Sequence, residues 1–290
     1  MPLGSILAGT YELRGLLGSG GMAQVFEGHD LHLDRVVAVK VARPAAAEAL
    51  HAEGRALAAV RHPLVVAVFH AGVEYGLRYL VMERVSGRTL REHLDERVRD
   101  GGLLPIPAVV ALLHMMAEAL AVVHEAGLSH RDLKPDNVMM RPGDRIVLTD
   151  FGLTRPEFQP ATAHFSGSPN YMAPEVITRT EKRGAGHLID LYALGIVAFE
   201  LLVGRTPFER GHWVKTLEAH LTEDAPDLRD LRDDVPGELA DLVVHLLAKD
   251  PLDRPESAES VVWKLQGPRH SHAPCSGGSA PCEAHGVDGR

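Results

Sequence analysis

The sequence HRDLKPDN at residues 130–137 is followed, after twelve intervening residues, by the tripeptide DFG at 150–152. The two segments place Asp132 and Asp150 at fixed offsets from a lysine and an amide, in loop sequence that proline interrupts. Because loops on a rigid scaffold commonly carry functional groups, these side chains are predicted to converge on one catalytic point. A plain polar loop is the alternative, but eight fixed positions and a downstream tripeptide make chance a poor explanation.

A glycine-rich segment lies near the start of the chain, between two runs of strand-forming residues. Its residues are Leu17, Gly18, Ser19, Gly20, Gly21, Met22, Ala23, Gln24 and Val25. Glycines lack a Cβ atom, so backbone N–H groups in such a hairpin can approach phosphate oxygens closely. Glycines between strands are more often plain turn residues, so this segment alone is a weak indication of a phosphate site.

Lys40 is embedded in the apolar run VVAVKVA at residues 36–42. Burying an unpaired lysine costs several kcal/mol, so its amine either reaches the surface or meets an anion. A phosphate on one side of the ammonium group and a carboxylate on the other would compensate its buried charge. Glu53, in the helical segment that follows, is the predicted carboxylate, and Glu48 is the alternative.

The composition excludes several functional classes. The 290 residues carry a net charge of −9, which argues against non-specific binding of nucleic acid because such binding relies on Lys and Arg. A hydrophobic content of 45% with 24% charged residues excludes wholesale disorder and collagen-like or coiled-coil sequence. Both cysteines lie in the last sixteen residues, so disulfides cannot cross-link the core. A reducing, cytoplasmic location is therefore expected.

No membrane span is predicted. The most apolar stretches, residues 108–124 and 188–204, are each interrupted by acidic side chains, and the N-terminus lacks the features of a signal peptide. Nor does an apolar segment follow the last predicted helix, so no membrane anchor is expected.

Strand-like runs separated by glycine and polar breaks fill residues 11–41 and predict a small antiparallel sheet. An alanine-rich helix is predicted at 45–60, and further strands are predicted at 64–70 and 77–85. Beyond residue 89, apolar residues at helical spacing predict long helices. These cover residues 107–126, 187–203 and 236–249.

Residues 267–290 are rich in Gly, Pro and Ser and are predicted to form a disordered tail. The tail also contains potential metal ligands, namely His270, His272, Cys275, Cys282 and His285. The spacing between the two cysteines matches no compact zinc site, so metal binding in the tail is the weaker reading.

Taken in order, these motifs resemble the protein kinase family, and specifically the bacterial serine/threonine kinases of eukaryotic type. SPNYMAPE at 168–175 and DLYALG at 190–195 extend the resemblance, which runs from residue 11 to residue 266. It implies an α+β, two-lobed protein-kinase-like fold. The expected parts are an N-terminal extension (1–10), a small antiparallel β-sheet lobe with one helix (11–85), a larger, mainly α-helical lobe (86–266) and the tail.

The resemblance also implies roles for the central motifs. Asp132 is expected to orient the substrate hydroxyl and accept its proton, and Lys134 to steady the transferred phosphoryl group. Asn137 and Asp150 are expected to hold Mg²⁺, with Mn²⁺ as the alternative ion.

A second set of residues is implied to bind ATP. Lys40, paired with Glu53, is expected to hold the α- and β-phosphates beneath the glycine-rich segment. The adenine ring is expected between Val25 and Ala38 above and Met139 below, with backbone hydrogen bonds from Glu83 and Val85 and with Met82 at the rear of the pocket.

Arg131, directly before Asp132, implies control by a phosphate on the activation segment that would pair with the guanidinium. Thr162 and Ser166 are the candidate sites, while Ser168 is expected to bridge Asp132 and Lys134. Structural roles are implied for three further residues, Glu175, Asp190 and Arg254, of which Glu175 and Arg254 form an ion pair.

The resemblance therefore implies transfer of the ATP γ-phosphate to Ser or Thr hydroxyls of protein substrates, with autophosphorylation between self-associating copies. Two departures from the family pattern stand out. Ala23 replaces the third glycine, and Glu53 lies only 13 positions after Lys40, which is expected to limit movement of the helix. The alternatives are a nucleotide-binding pseudokinase and a kinase-like small-molecule phosphotransferase.

Overall fold

The computed structural model describes residues 1–21, 23–151, 168–182 and 184–266, which form a sheet lobe followed by a helical lobe. The sheet lobe contains β1 (Ile6–Leu7), β2 (Tyr11–Ser19), β3 (Ala23–Asp30), β4 (Arg35–Ala42), β5 (Val68–Glu74) and β6 (Leu77–Glu83). All pairings in this sheet are antiparallel, and the strand order is β1-β2-β3-β4-β6-β5. The sequence 1–10 thus contributes an edge strand to the sheet, with Leu7 fully buried.

One α-helix, α1 (Ala47–Leu57), packs on this sheet after a short 3₁₀ turn at Pro44–Ala46. It is shorter than the predicted helix at 45–60 because the turn takes its first residues and Ala58 caps its end. Gly54 permits close packing, since a Cβ atom there would lie 2.6 Å from Leu80 Cδ1 in β6. The helix therefore lies directly on the strand next to the one that carries Lys40.

The strand predicted at 64–70 is wrong in position. Residues 64–66 instead bond across to Leu148 of the helical lobe: Val66 N–H donates to Leu148 O at 3.0 Å, and Leu148 N–H donates to Leu64 O at 2.8 Å. The true strand begins at Val68 and alternates between half-buried and exposed residues. The apolar run resembles a strand in composition because its side chains are buried where the lobes meet.

The helical lobe begins with a small sheet made of β7 (Arg88–Thr89), β8 (Val138–Arg141) and β9 (Arg145–Leu148) in that order. Thr89 also caps the next helix, since its hydroxyl accepts from Glu92 N–H while the Glu92 carboxylate accepts from Thr89 N–H. The α-helices described in this lobe are α2 (Leu90–Arg99), α3 (Ile106–Glu125), α4 (Pro174–Ile177), α5 (Gly186–Val203), α6 (Trp213–Thr222), α7 (Leu228–Leu231), α8 (Gly237–Leu246) and α9 (Ala258–Leu265).

Helices α3 and α5 are long and apolar enough to cross a bilayer by length and composition alone. Packing explains this composition, because 89% of the most apolar window of α5 and 50% of that of α3 are buried inside the protein. Sixteen of the 18 residues of α5 are buried, including Asp190 and Glu200, so α5 is the central core helix of the lobe. These two helices do not show a membrane span.

Candidate active site

The loop at residues 130–137 follows α3 and is held in place by hydrogen bonds to Asp190 on α5. The backbone N–H groups of His130 and Arg131 donate to the two oxygens of this carboxylate, at 2.8 and 2.7 Å. His124 Nε2 lies 2.8 Å from Asp190 Oδ2. Burial alone would raise the pKa of Asp190, but the hydrogen bond to His124 and the backbone donors outweigh it and lower the pKa. The buried, ionised carboxylate therefore sets the path of the loop.

Asp132 forms one compact cluster with Lys134 and Asn137. Lys134 Nζ donates to Asp132 Oδ2 at 2.9 Å, and Asn137 Nδ2 donates to the same oxygen at 3.1 Å and to the backbone oxygen of Asp132 at 2.7 Å. Within the described residues, both side-chain donors use Oδ2, which leaves Oδ1 to meet a substrate hydroxyl. The carboxylate is thus held in one orientation by two neighbours on its own loop.

Ser168 joins this cluster through Lys134, whose Nζ donates to Ser168 Oγ at 3.0 Å. The family resemblance implies a bridge from the serine hydroxyl to Asp132 and Lys134, whereas the lysine amine is the bridge among the described contacts. A small cavity beside Asp132 is lined by Ser168, Tyr171 and Met172, among others. Buried residues such as Leu133 and Ala173 also line the cavity, so it lies against the core of the helical lobe.

Lys40 meets two carboxylates. Its Nζ lies 3.0 and 3.3 Å from the two oxygens of Glu53 and 3.3 Å from Asp150 Oδ1. Burial would lower the pKa of Lys40, but the charges of Glu53 and Asp150 more than compensate and raise it, so the amine stays protonated. Glu48, the alternative partner, lies away from the site, since its carboxylate accepts from Arg78 Nη2 at 2.6 Å and its side chain is 84% exposed.

Asp150 lies at a bend in the chain where its φ angle is +54°. Its carboxylate is 45% exposed, whereas the neighbouring Phe151 is fully buried against His130, with the ring centroids 4.4 Å apart. Complete burial lowers the pKa of His130, which is therefore neutral and packs as a core residue. The buried ring of Phe151 fixes where the exposed carboxylate of Asp150 lies.

The glycine-rich segment is the turn between β2 and β3. Gly20 N–H donates to Ala23 O at 2.9 Å, and Gly18 lies opposite Val25 in the ladder. Arg43, which no sequence motif indicates, donates from Nε to Gly20 O at 3.1 Å and thereby connects the turn to the end of β4. The pairing shifts register between Leu16 and Gly18, so Leu17 forms a bulge; Met22 lies outside the described residues.

The residues expected around adenine lie on β3, β4, β6 and β8, except Val85, which follows β6. Val25 is paired with Lys40, and Ala38 with the buried Met82 at the rear. Glu83 and Val85 follow directly along the chain, and Met139 lies half-buried on β8. The carboxylate of Glu83 also pairs with Arg141 of β8, a contact between the lobes that no sequence motif indicates.

Two further clusters support the segment at 168–175. Arg254 donates to both carboxylate oxygens of buried Glu175, at 2.7 and 2.9 Å, as the sequence analysis expected of this pair. Tyr171 OH donates to Glu200 Oε2 at 2.6 Å and accepts from Arg91 Nη2 at 2.6 Å. The latter cluster was missed because its members lie on three separate elements with no motif to link them.

Arg131 has a partner that the sequence analysis did not identify. Its guanidinium forms two hydrogen bonds with the carboxylate of Glu181, one of them with Nη1 and Oε2 3.0 Å apart. Thr162 and Ser166, the candidate phosphorylation sites, lie outside the described residues, as do the Cys and His residues of the tail.

Comparison with known proteins agrees with the family named from the motifs. Residues 11–264 match the sequence model of the protein kinase domain. The chain is similar to the serine/threonine-protein kinase PrkC of Bacillus subtilis, with 33% identity over 272 residues, and to the serine/threonine-protein kinase PknL of Mycobacterium bovis, with 36% identity over 259 residues. These alignments cover 90% and 86% of the chain but only 41% and 63% of the relatives, so the chain spans less than two thirds of their length.

Proposed function

The chain belongs to the protein kinase family, and from that premise we propose that it transfers the γ-phosphoryl group of ATP to serine or threonine hydroxyls of protein substrates. A protein kinase domain implies the use of ATP and of a divalent metal ion. The similar proteins are named serine/threonine-protein kinases, which supports serine and threonine as the acceptor residues. One observation carries the proposal: the site keeps both of its charged clusters, one at Lys40 and one at Asp132.

In the proposed reaction, Oδ1 of Asp132 accepts a hydrogen bond from the substrate hydroxyl and takes its proton. The hydroxyl oxygen forms a bond to the γ-phosphorus as the bond to the bridging oxygen breaks and ADP leaves. The ammonium group of Lys134, bonded to Asp132, neutralises charge on the transferred group. Lys40 remains protonated beside Glu53 and holds the α- and β-phosphates, so the protein supplies positioning and charge.

The residues expected to hold the metal fit a hard divalent cation such as Mg²⁺, with Mn²⁺ as the alternative, because they offer a carboxylate and an amide oxygen. The amide nitrogen of Asn137 is engaged by Asp132, which leaves its oxygen as the ligand. The carboxylate of Asp150 is 45% exposed, with Oδ1 3.3 Å from Lys40 Nζ. When bound, the ion neutralises phosphate charge.

We also propose that copies of the chain phosphorylate one another within residues 152–167, with Thr162 first and Ser166 second. The location of the chain in the cytoplasm stays a prediction. Mapping of phosphosites after incubation of phosphatase-treated protein with Mg-ATP tests the modification. Dilution tests the self-association, since transfer between copies slows as the concentration falls.

The decisive experiment incubates purified chain with labelled ATP and Mg²⁺, using a generic protein substrate beside an aminoglycoside. We expect label on serine and threonine of the protein, and a loss of at least 1,000-fold in Asp132→Asn, because the substituted amide cannot accept the proton. No transfer by the wild type would instead support a nucleotide-binding pseudokinase, and label on the aminoglycoside alone would support a small-molecule phosphotransferase.

A further inference from the structure

The ion pair between Arg131 and Glu181 joins the catalytic loop to the segment that precedes α5. Both terminal nitrogens of the guanidinium donate to the two carboxylate oxygens, in the fork geometry that binds carboxylate or phosphate strongly. The Arg131 side chain is 10% exposed and the Glu181 side chain 16% exposed, so solvent screens the pair weakly. This contact is therefore unlike a solvated surface ion pair.

Arg131 is held at both ends. Its backbone has a φ angle of +65°, in the left-handed region, and its N–H donates to Asp190 Oδ1 at 2.7 Å. Its side chain is held by Glu181, and close packing next to Gly186 confines it, since a Cβ atom there would lie 3.0 Å from Arg131 Nη2. Asp132 follows directly, so the orientation of Arg131 bears on the catalytic carboxylate.

Phosphate binds a guanidinium through the same kind of forked contact that Glu181 makes here, so an activation-segment phosphate paired with Arg131 would compete with Glu181 for one binding site. We propose that Glu181 is a positioning residue that supplies this anion permanently. Through Arg131 it orders the catalytic loop, and the kinase is active without phosphorylation of residues 152–167. The inference rests on the proposed function and deepens it, because it states how the same site is regulated.

The first test needs no turnover. Thermal unfolding of the full chain is measured in increasing inorganic phosphate, against sodium chloride of equal ionic strength. Removing the carboxylate in Glu181→Ala exposes the Arg131 fork, so we expect a saturable rise of about 2–4 °C in the midpoint that is absent from the wild type and from Arg131→Ala/Glu181→Ala. Glu223→Ala is the matched control, because it breaks an ion pair with Arg210 at the exposed end of α6.

An equal phosphate effect in wild type and Glu181→Ala, or none in either, overturns the inference. If Glu181→Ala does not fold, Glu181→Gln is measured in the same way, because it keeps the side-chain shape and removes the charge. Absence of phosphoryl transfer by the wild type would overturn the proposed function alone. The thermal measurement would still show whether Glu181 occupies the guanidinium of Arg131 and excludes phosphate.

The second test compares kinase rates of phosphatase-treated proteins. We expect treated wild type to stay within threefold of protein preincubated with Mg-ATP, treated Glu181→Gln to fall at least tenfold, and Glu181→Asp to keep at least a third of the wild-type rate. A wild type that loses tenfold on treatment overturns the inference. A Glu181→Gln protein that keeps the wild-type rate also overturns it. So does an equal fall in rate in Glu181→Gln and Glu181→Asp, because a purely structural role of Glu181 would not distinguish loss of the charge from a change of side-chain shape.

Discussion

Lys40 and Glu53 form a buried ion pair with an Nζ–Oε1 distance of 3.0 Å, although they are only 13 residues apart in the chain. The Lys40 side chain is 8% exposed and that of Glu53 is 3% exposed. Burial of both charges is costly, so each depends on the other. Since Glu53 lies on α1 and Lys40 on β4, the pair fixes the helix against the sheet and aims the amine between the lobes.

Glu53→Gln is therefore expected to lower the rate of phosphoryl transfer at least tenfold, because Lys40 loses its main partner and shifts toward Asp150. The measurement is kcat/KM for ATP with a generic protein substrate. Glu48→Gln is the matched control, since Glu48 lies on the same helix but faces solvent and pairs with Arg78. Equal rates for the two variants would show that the buried pair is not needed for transfer.

The pair between Glu175 and Arg254 is expected to matter for stability. Both side chains are almost fully buried, and Arg254 also donates to the backbone oxygens of Ala248 and Leu188. Removing one partner leaves a buried charge unpaired, so Arg254→Met is expected to lower the free energy of unfolding by about 3–5 kcal/mol. Denaturant unfolding measures this, beside Arg229→Met, which removes an exposed pair and should cost under about 1 kcal/mol.

Motifs reveal most of the site from the sequence because phosphoryl transfer requires particular side chains at particular offsets. The choice of Glu53 over Glu48 follows the same logic. The helix bounds of α3 and α5 were predicted to within one residue, since each has a long apolar repeat with a clear start and stop. Such patterns are local, and a single sequence displays them directly.

Contacts between distant elements were the part that could not be predicted. Glu181 lies in a polar connection with no recognisable spacing from Arg131, and only the folded chain brings them together. Likewise, the apolar run at 64–66 was assigned to a strand. Its composition does not show whether its backbone hydrogen-bonds to a neighbouring strand of the sheet or, as here, to Leu148 of the helical lobe. Arg43 was missed because its partner is a backbone oxygen, which no residue pattern encodes.

Gly186 and Gly237 each begin a helix, but they differ in the space around them. A Cβ atom on Gly186 would lie 2.2 Å from Ser129 Oγ, whereas nothing lies within 4 Å of one on Gly237. Gly186→Ala is thus expected to destabilise the protein by about 1–3 kcal/mol and to lower kinase activity, because Ser129 directly precedes the catalytic loop. Gly237→Ala should be neutral or stabilising by about 0.5 kcal/mol, which denaturant unfolding of both variants can check.

His220 predicts how stability depends on pH. It is fully buried, with Nδ1 2.8 Å from Tyr192 OH and its ring 4.8 Å from that of Phe208. Burial, with a smaller contribution from the charge of Lys249, lowers the pKa of His220 to about 3. Below about pH 6.5 the imidazole of His220 binds a proton in the unfolded chain, whereas it stays neutral in the folded protein. Stability should therefore fall with decreasing pH by about 1.4 kcal/mol per unit from this group.

His220→Gln should remove this contribution, so that the slope of unfolding free energy against pH, measured by urea denaturation between pH 4 and 6, is smaller by about 1.4 kcal/mol per unit. His130, whose pKa is also lowered by burial, contributes equally to both proteins and cancels in the comparison. His245→Gln, at an exposed position on α8, is the matched control for the substitution itself. Identical slopes for wild type and His220→Gln would mean that the buried ring takes up a proton in the folded state as readily as in the unfolded chain.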